Sequence, residues 1–171
     1  MEIKLESLTI EHAKPLWQFE RENRSFFETM VPSRGDDYYI YNKFIQFLQE
    51  LLKEQERGEG QYYLIVNSQN TILGRINLFN VLENPSFSAE IGYRIGEPYL
   101  FKGIASRSIE MVMKHLNKKY KKMEVIAKTT SHNYGSQKIL EKNGFRLTEI
   151  EKDGATLNLE LYDFLYYTWS N

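Results

Sequence analysis

The residues best suited to chemistry lie between Ala89 and Phe145. Lys102-Gly103-Ile104-Ala105-Ser106 reads as a glycine turn opening a long helix from Ile104 to about Leu116. It follows a strand-like Ala89-Glu90-Ile91-Gly92-Tyr93-Arg94-Ile95 and a break at Pro98. A helix start carries unpaired N–H groups and partial positive charge, so an anion such as a pyrophosphate docks there when no side chain obstructs it. Gly103 and Ala105 keep the approach open, Lys102 and Arg107 add positive charge, and the Ser106 hydroxyl can cap the helix or reach a phosphate oxygen. The same residues also fit an ordinary strand-to-helix turn.

A second strand and helix follow at once. Met123-Glu124-Val125-Ile126-Ala127-Lys128-Thr129 alternates like a strand, and Asn133 opens a helix that runs to Asn143-Gly144. Glu90-Ile91-Gly92-Tyr93 with Lys102-Gly103-Ile104-Ala105, and then Asn133, Ser136, Leu140, Glu141, Lys142, Gly144 and Phe145, together form a specific pattern. It resembles the GNAT family of N-acetyltransferases, in the branch of the ribosomal-protein N-terminal acetyltransferases, and the likeness covers nearly the whole chain. Leu100 and Phe101 depart from the family's loop, where a polar and a small residue are usual.

The resemblance implies a single N-acetyltransferase domain over residues 1–171. Its fold class is α/β: a mixed, mostly antiparallel sheet of about seven strands with helices on both faces. The fourth and fifth strands run parallel and splay, and the pantetheine arm of acetyl-CoA pairs with the backbone of Tyr93, Arg94 and Ile95 by strand addition. The pyrophosphate falls to Lys102, Gly103, Ile104, Ala105 and Ser106, with Asn133 holding the pantetheine or the helix start. Glu90 is the expected proton acceptor, directly or through water, and Ser136 the expected hydrogen-bond donor to the departing sulfur. Glu90 also fits an outward strand residue or a salt-bridge partner, and Asn133 and Ser136 also fit helix capping.

The reaction so implied is direct attack of a primary amine on the thioester of acetyl-CoA, most simply by a protein N-terminal amine. A small amine (polyamine, amino acid or aminoglycoside) and a non-catalytic acyl-CoA-binding domain are the alternatives. The acceptor is expected to enter between residues 26–37 and a hairpin near Asp153, where Glu28, Asp36 and Asp37 give an acidic mouth or cap the second helix.

Composition limits the rest. A net charge of −1 gives no general reason to bind nucleic acid, and Lys114, Lys118, Lys119, Lys121 and Lys122 read as a solvated helix end and loop. Zero cysteines exclude thiolate chemistry, and His12, His115 and His132 show no ligand spacing, so no metal is expected. No apolar run approaches the roughly 20 residues of a membrane span, and the chain is read as cytoplasmic. Twelve tyrosines and ten phenylalanines fit an aromatic core or a homodimer face.

The supporting elements are read from periodicity. Residues 2–6 form a first strand; Thr9 caps a helix from near Glu11, with Ala13, Leu16, Trp17 and Glu20 facing inward, and Pro32-Ser33-Arg34-Gly35 ends that region. A second helix covers about 36–55, with Ile40, Phe44, Phe47, Leu48, Leu51 and Leu52 as its core stripe. Strands at 61–67 and 71–81 form a hairpin, and a third follows at 87–95. After Phe145, strands at about 146–152 and 156–168 are expected, joined at Asp153-Gly154.

Overall fold

A computed structural model of the chain describes residues 2–171. One seven-stranded sheet runs through it: β1 (Ile3–Ser7), β2 (Gln61–Asn67), β3 (Ile72–Leu82), β4 (Phe87–Ile95), β5 (Met123–Thr130), β6 (Arg146–Leu157) and β7 (Glu160–Ser170), in the order β1-β2-β3-β4-β5-β7-β6. All neighbours are antiparallel except β4 and β5, whose connection carries a helix, as parallel strands require.

Helices cover both faces. On one lie α1 (Ala13–Glu22), α2 (Arg24–Met30) and α3 (Tyr41–Glu56); on the other lie α4 (Ile104–Lys119) and α5 (Tyr134–Lys142). Alternation along β2 shows the division: Tyr62, Leu64 and Val66 pack with Leu16, Phe19, Phe44 and Leu48, while Ile65 packs with Ile109, Val112 and Leu116 of α4. Tyr38, Tyr62, Tyr167 and Phe87 are among the buried aromatics, so part of the aromatic surplus is core. No helix is long and apolar enough to cross a membrane.

Three boundaries differ from those read in the sequence. The first helical region is a 3₁₀ turn (Ile10–His12) followed by α1 and α2, broken at Asn23. There the Asn23 side chain donates to the Phe19 carbonyl at 2.9 Å and accepts from the Glu97 amide at 2.8 Å, drawing the chain out of helical register. The second helix starts only at Tyr41, after a 3₁₀ turn (Asp36–Tyr39), and Ile40 is exposed rather than core. Finally, β6 and β7 turn at Asn158-Leu159, both at positive φ, and not at Asp153-Gly154. Asp153 does adopt a φ of 53°, but inside β6, where the register slips between Glu151 and Ala155 and the Asp153 amide donates to Asp163 Oδ1.

A cluster of charged groups is locked inside. Glu20 of α1 is fully buried, its Oε1 accepting from Arg75 Nη1 of β3 at 3.0 Å and its Oε2 from Arg94 Nη1 of β4 at 2.9 Å. Burial alone would raise the Glu20 pKa; the facing guanidiniums of Arg75 and Arg94 outweigh it and hold the group below its ordinary 4.5. Glu20→Ala strands two buried cations, and urea denaturation followed by circular dichroism should show a loss of about 3–5 kcal/mol. Because the folded pKa is lowered, the Glu20 contribution is complete above the unfolded value and disappears as pH falls through the folded one. The gap between wild type and variant should therefore close below about pH 4.5.

Candidate functional site

The parallel pair holds together only part way. β4 and β5 are paired from Phe87 opposite Met123 to Ile91 opposite Ala127. Beyond that, residues 92–95 of β4 pair with β3 alone and residues 128–130 of β5 pair with β7 alone. The end of β4 thus has an open edge inside the molecule, with backbone donors and acceptors facing a gap. α4 follows β4 and α5 follows β5, so both helix N-termini stand at the carboxyl end of the parallel pair, where open α/β sheets take their ligands. A cleft of about 750 Å³ occupies the gap, lined by residues 93–95, 99–101, 103–106 and 132–136 and, from α2 and just beyond, by Phe26, Phe27, Met30 and Val31.

Nine of the eleven residues singled out in the sequence line this cleft: Tyr93, Arg94, Ile95, Gly103, Ile104, Ala105, Ser106, Asn133 and Ser136. Lys102 and Glu90 do not. Lys102 Nζ donates to the Pro98 carbonyl at 2.9 Å and sits 5.5 Å above the Tyr99 ring. Glu90 accepts from Asn80 Nδ2 at 2.6 Å, on the sheet face that also carries Arg94.

At the start of α4, Gly103 has φ 71° and ψ 11°, a left-handed conformation that suits glycine, and no side chain caps the helix. Ile104 and Ala105 bury their side chains in the core, so what they present to the cleft is backbone. Ser106 does not cap; its Oγ accepts from Asn143 Nδ2 of the residue after α5 at 3.1 Å, tying the two helices together. Phe101, also at positive φ, is fully exposed at the cleft rim.

Across the cleft, Asn133 Oδ1 accepts from the Ser136 amide at 3.1 Å and caps α5. Ser136 Oγ lies 2.9 Å from the Tyr93 hydroxyl. Burial pushes the Tyr93 pKa up to about 12, against the opposing effect of the Ser136 hydrogen bond, so Tyr93 keeps its proton at neutral pH. Sequence reasoning assigned only the Tyr93 backbone; its hydroxyl was not legible because the partner is 43 residues away. His132, one of the three histidines without ligand spacing, lines the cleft. Its Nε2 is 3.0 Å from the Thr29 carbonyl, which can only accept, so Nε2 carries the proton, and Nδ1 is buried without a partner among the described residues.

The side of the cleft bounded by residues 24–37 is not the acidic mouth expected. Arg24 donates to Glu28 Oε1 at 2.9 Å and to Asp36 Oδ1 at 2.6 Å, neutralising much of that charge. Behind it stand Arg94, with its guanidinium 4.6 Å from the Phe27 ring, and Arg34, 4.9 Å from the Tyr38 ring.

Comparison with known proteins gives the family of the chain. Residues 2–146 match the acetyltransferase (GNAT) domain, and the chain belongs to that family. It is 28% identical over 159 residues to the probable N-acetyltransferase YjcK of Bacillus subtilis (strain 168), covering 91% of this chain and 87% of that one. With the ribosomal-protein-serine acetyltransferase of Escherichia coli (strain K12) the identity is 24% over 168 residues, covering 94% and 88%. Among solved structures, RimL, a ribosomal L7/L12 α-N-protein acetyltransferase in complex with coenzyme A, shares the fold at TM-score 0.87 and 22% identity, covering 98% and 93%.

The capping geometry is directly testable. Asn133→Ala removes the Oδ1 acceptor at the start of α5, and differential scanning calorimetry should record a loss of about 1 kcal/mol, or about 2–4 °C in a chain of this size.

Proposed function

We propose that this family member is an acetyl-CoA-dependent N-acetyltransferase acting on a protein N-terminal amine, and we place it in the cytoplasm. The observation that carries the reading is the unpaired end of β4 flanked by the N-termini of α4 and α5. An extended amide-bearing arm completes such an edge, and a pyrophosphate takes the uncapped N–H groups at 103–106. The residues fit the group: the approach at Gly103 is open, with nothing within 4 Å of where a Cβ would stand. The protein acceptor is favoured by two of the three relatives named above, the Escherichia coli enzyme and RimL, whose names give ribosomal proteins as their targets.

Bound acetyl-CoA supplies an activated acyl carbon and a thiolate leaving group. The chain's part is to hold the thioester at the parting of β4 and β5, where backbone N–H groups of β4 face the developing oxyanion. Ser136 Oγ donates to the sulfur as the C–S bond breaks, with Tyr93, protonated and 2.9 Å away, holding that hydroxyl in place. Glu90, on the opposite face of β4, takes the amine proton through water as the N–C bond forms.

Release of free CoA from acetyl-CoA, screened against N-terminal peptides, polyamines, amino acids and aminoglycosides, tests the assignment. Peptides should be turned over; turnover of free small amines alone would remove the protein acceptor, and no release with any amine would remove the activity. Gly103→Val forces a branched residue into left-handed backbone beside the helix start, and calorimetry should show at least a tenfold loss of acetyl-CoA affinity with the circular dichroism spectrum retained. Ser136→Ala should lower kcat by about 10- to 100-fold with little change in KM for acetyl-CoA. Glu90→Gln should lower kcat by about 10- to 100-fold while leaving the calorimetric affinity for acetyl-CoA unchanged.

A further inference from the structure

Three guanidiniums gather around one carboxylate on the sheet face that carries α1 and α2. Both oxygens of Glu20 are occupied, one by Arg75 and one by Arg94. Arg75 uses both terminal nitrogens: Nη1 also donates to the Tyr38 hydroxyl at 3.2 Å, and Nη2 donates to the side-chain oxygen of Asn77 at 3.2 Å. Arg94 uses only Nη1, and among the described residues no carboxylate meets its Nε or Nη2. Arg94 is almost buried, with 14% of its side chain exposed, and it lines the cleft. Arg34 has no carboxylate partner among the described residues either; its guanidinium lies over the rings of Tyr38 and Phe47 at 4.9 and 5.8 Å. On the segment beside them, Glu28 and Asp36 are half-exposed and exposed and are held by Arg24, and Asp37 is exposed.

Positive charge in excess, partly withdrawn from water, is costly without a counter-charge and attracts one more strongly than a solvated surface cation does. A guanidinium with its fork half used is shaped for a carboxylate. Its position says which substrate would bring that carboxylate. Tyr93 sends its hydroxyl to Ser136 on the α5 side, and Arg94, the next residue, points to the opposite face beside Glu20 and Phe27. Consecutive residues of one strand thus address the two sides from which thioester and amine meet.

We infer that Arg94 in the cleft wall, with Arg34 on the exposed loop after α2 adding its charge, forms an anion subsite for the acceptor, selecting amines that carry a carboxylate close to the reacting nitrogen. The inference rests on the acetyltransferase reading above. Two sources share the chemistry: an acidic side chain in the first residues of a peptide, and the α-carboxylate of a free amino acid.

The test uses hexapeptides beginning Ser-Asp or Ser-Asn and otherwise identical, with C-terminal amides, together with free serine and serinamide. CoA release gives kcat/KM for each, and calorimetry on the full-length protein saturated with CoA gives Kd. The carboxylate-bearing member of at least one pair should be favoured about tenfold in both readouts, with the preference shrinking as salt is raised from about 0.05 to 0.5 M. Which pair responds identifies the source. In Arg94→Gln and Arg34→Gln the ratio should collapse toward one; Arg34 does not touch Glu20, so its variant keeps the triad and the test stands even if Arg94→Gln fails to fold. A ratio within twofold for both pairs in the wild type, or a preference that survives in the folded Arg34→Gln variant, overturns the subsite. If no amine releases CoA, the acetyltransferase reading falls, and the calorimetric ratio alone decides the subsite.

Discussion

The parting of β4 from β5 after Ile91 and Ala127 is the constraint on which the site depends. A sheet interior ordinarily leaves no backbone group unanswered, and here one strand is paired on one side only over residues 92–95. The sheet tolerates this because each strand retains its other neighbour, β3 for β4 and β7 for β5. The gap is bridged by side chains at one point, the Tyr93 and Ser136 hydroxyls, and elsewhere is open space bounded by apolar residues of α2 and the loop before α4.

The buried triad of Glu20, Arg75 and Arg94 answers a different demand. Beyond Ile91 the neighbour that β4 keeps in the sheet is β3, and the ion pair to α1 adds a tie to Arg94 from the layer of helices above. A well-packed apolar cluster would hold the strand as firmly and often more so. The charged version differs in placing an arginine, Arg94, in the wall of the cleft.

How much of this was legible in the sequence follows from the range of the forces involved. β4 was read with its true ends, Phe87 and Ile95, and the α5 cap at Asn133 was read correctly, since both rest on residues within a few positions of one another. The Asp153-Gly154 signal identified a real left-handed backbone position and mistook its role, because a hairpin turn and a bulge ask the same of φ and differ only in what the partner strand does. The break at Asn23 depends on an amide at Glu97, and the burial of Glu20 on arginines 55 and 74 residues away. No window along the chain contains both partners. Alternation did place Glu20 on the inner face of its helix, and only the nature of what it meets there was hidden.

The Asn23 side chain joins the last turn of α1 to the turn that leads into α4, with 7% of its surface exposed, and Gly96 beside it has no room for a Cβ against Phe19. The end of α1 and the turn that leads into α4 are therefore clipped together across the open edge of β4. Motion that widens the cleft cannot come from these two swinging apart without breaking a buried amide contact. The other rim meets the same layer of helices more lightly, through His132 Nε2 to the Thr29 carbonyl at 3.0 Å and Thr130 Oγ1 to the Met30 carbonyl at 3.4 Å, both at the end of α2. The two rims of the gap are thus joined to one pair of helices, α1 and α2, by a buried amide on one side and by a pair of side-chain contacts on the other.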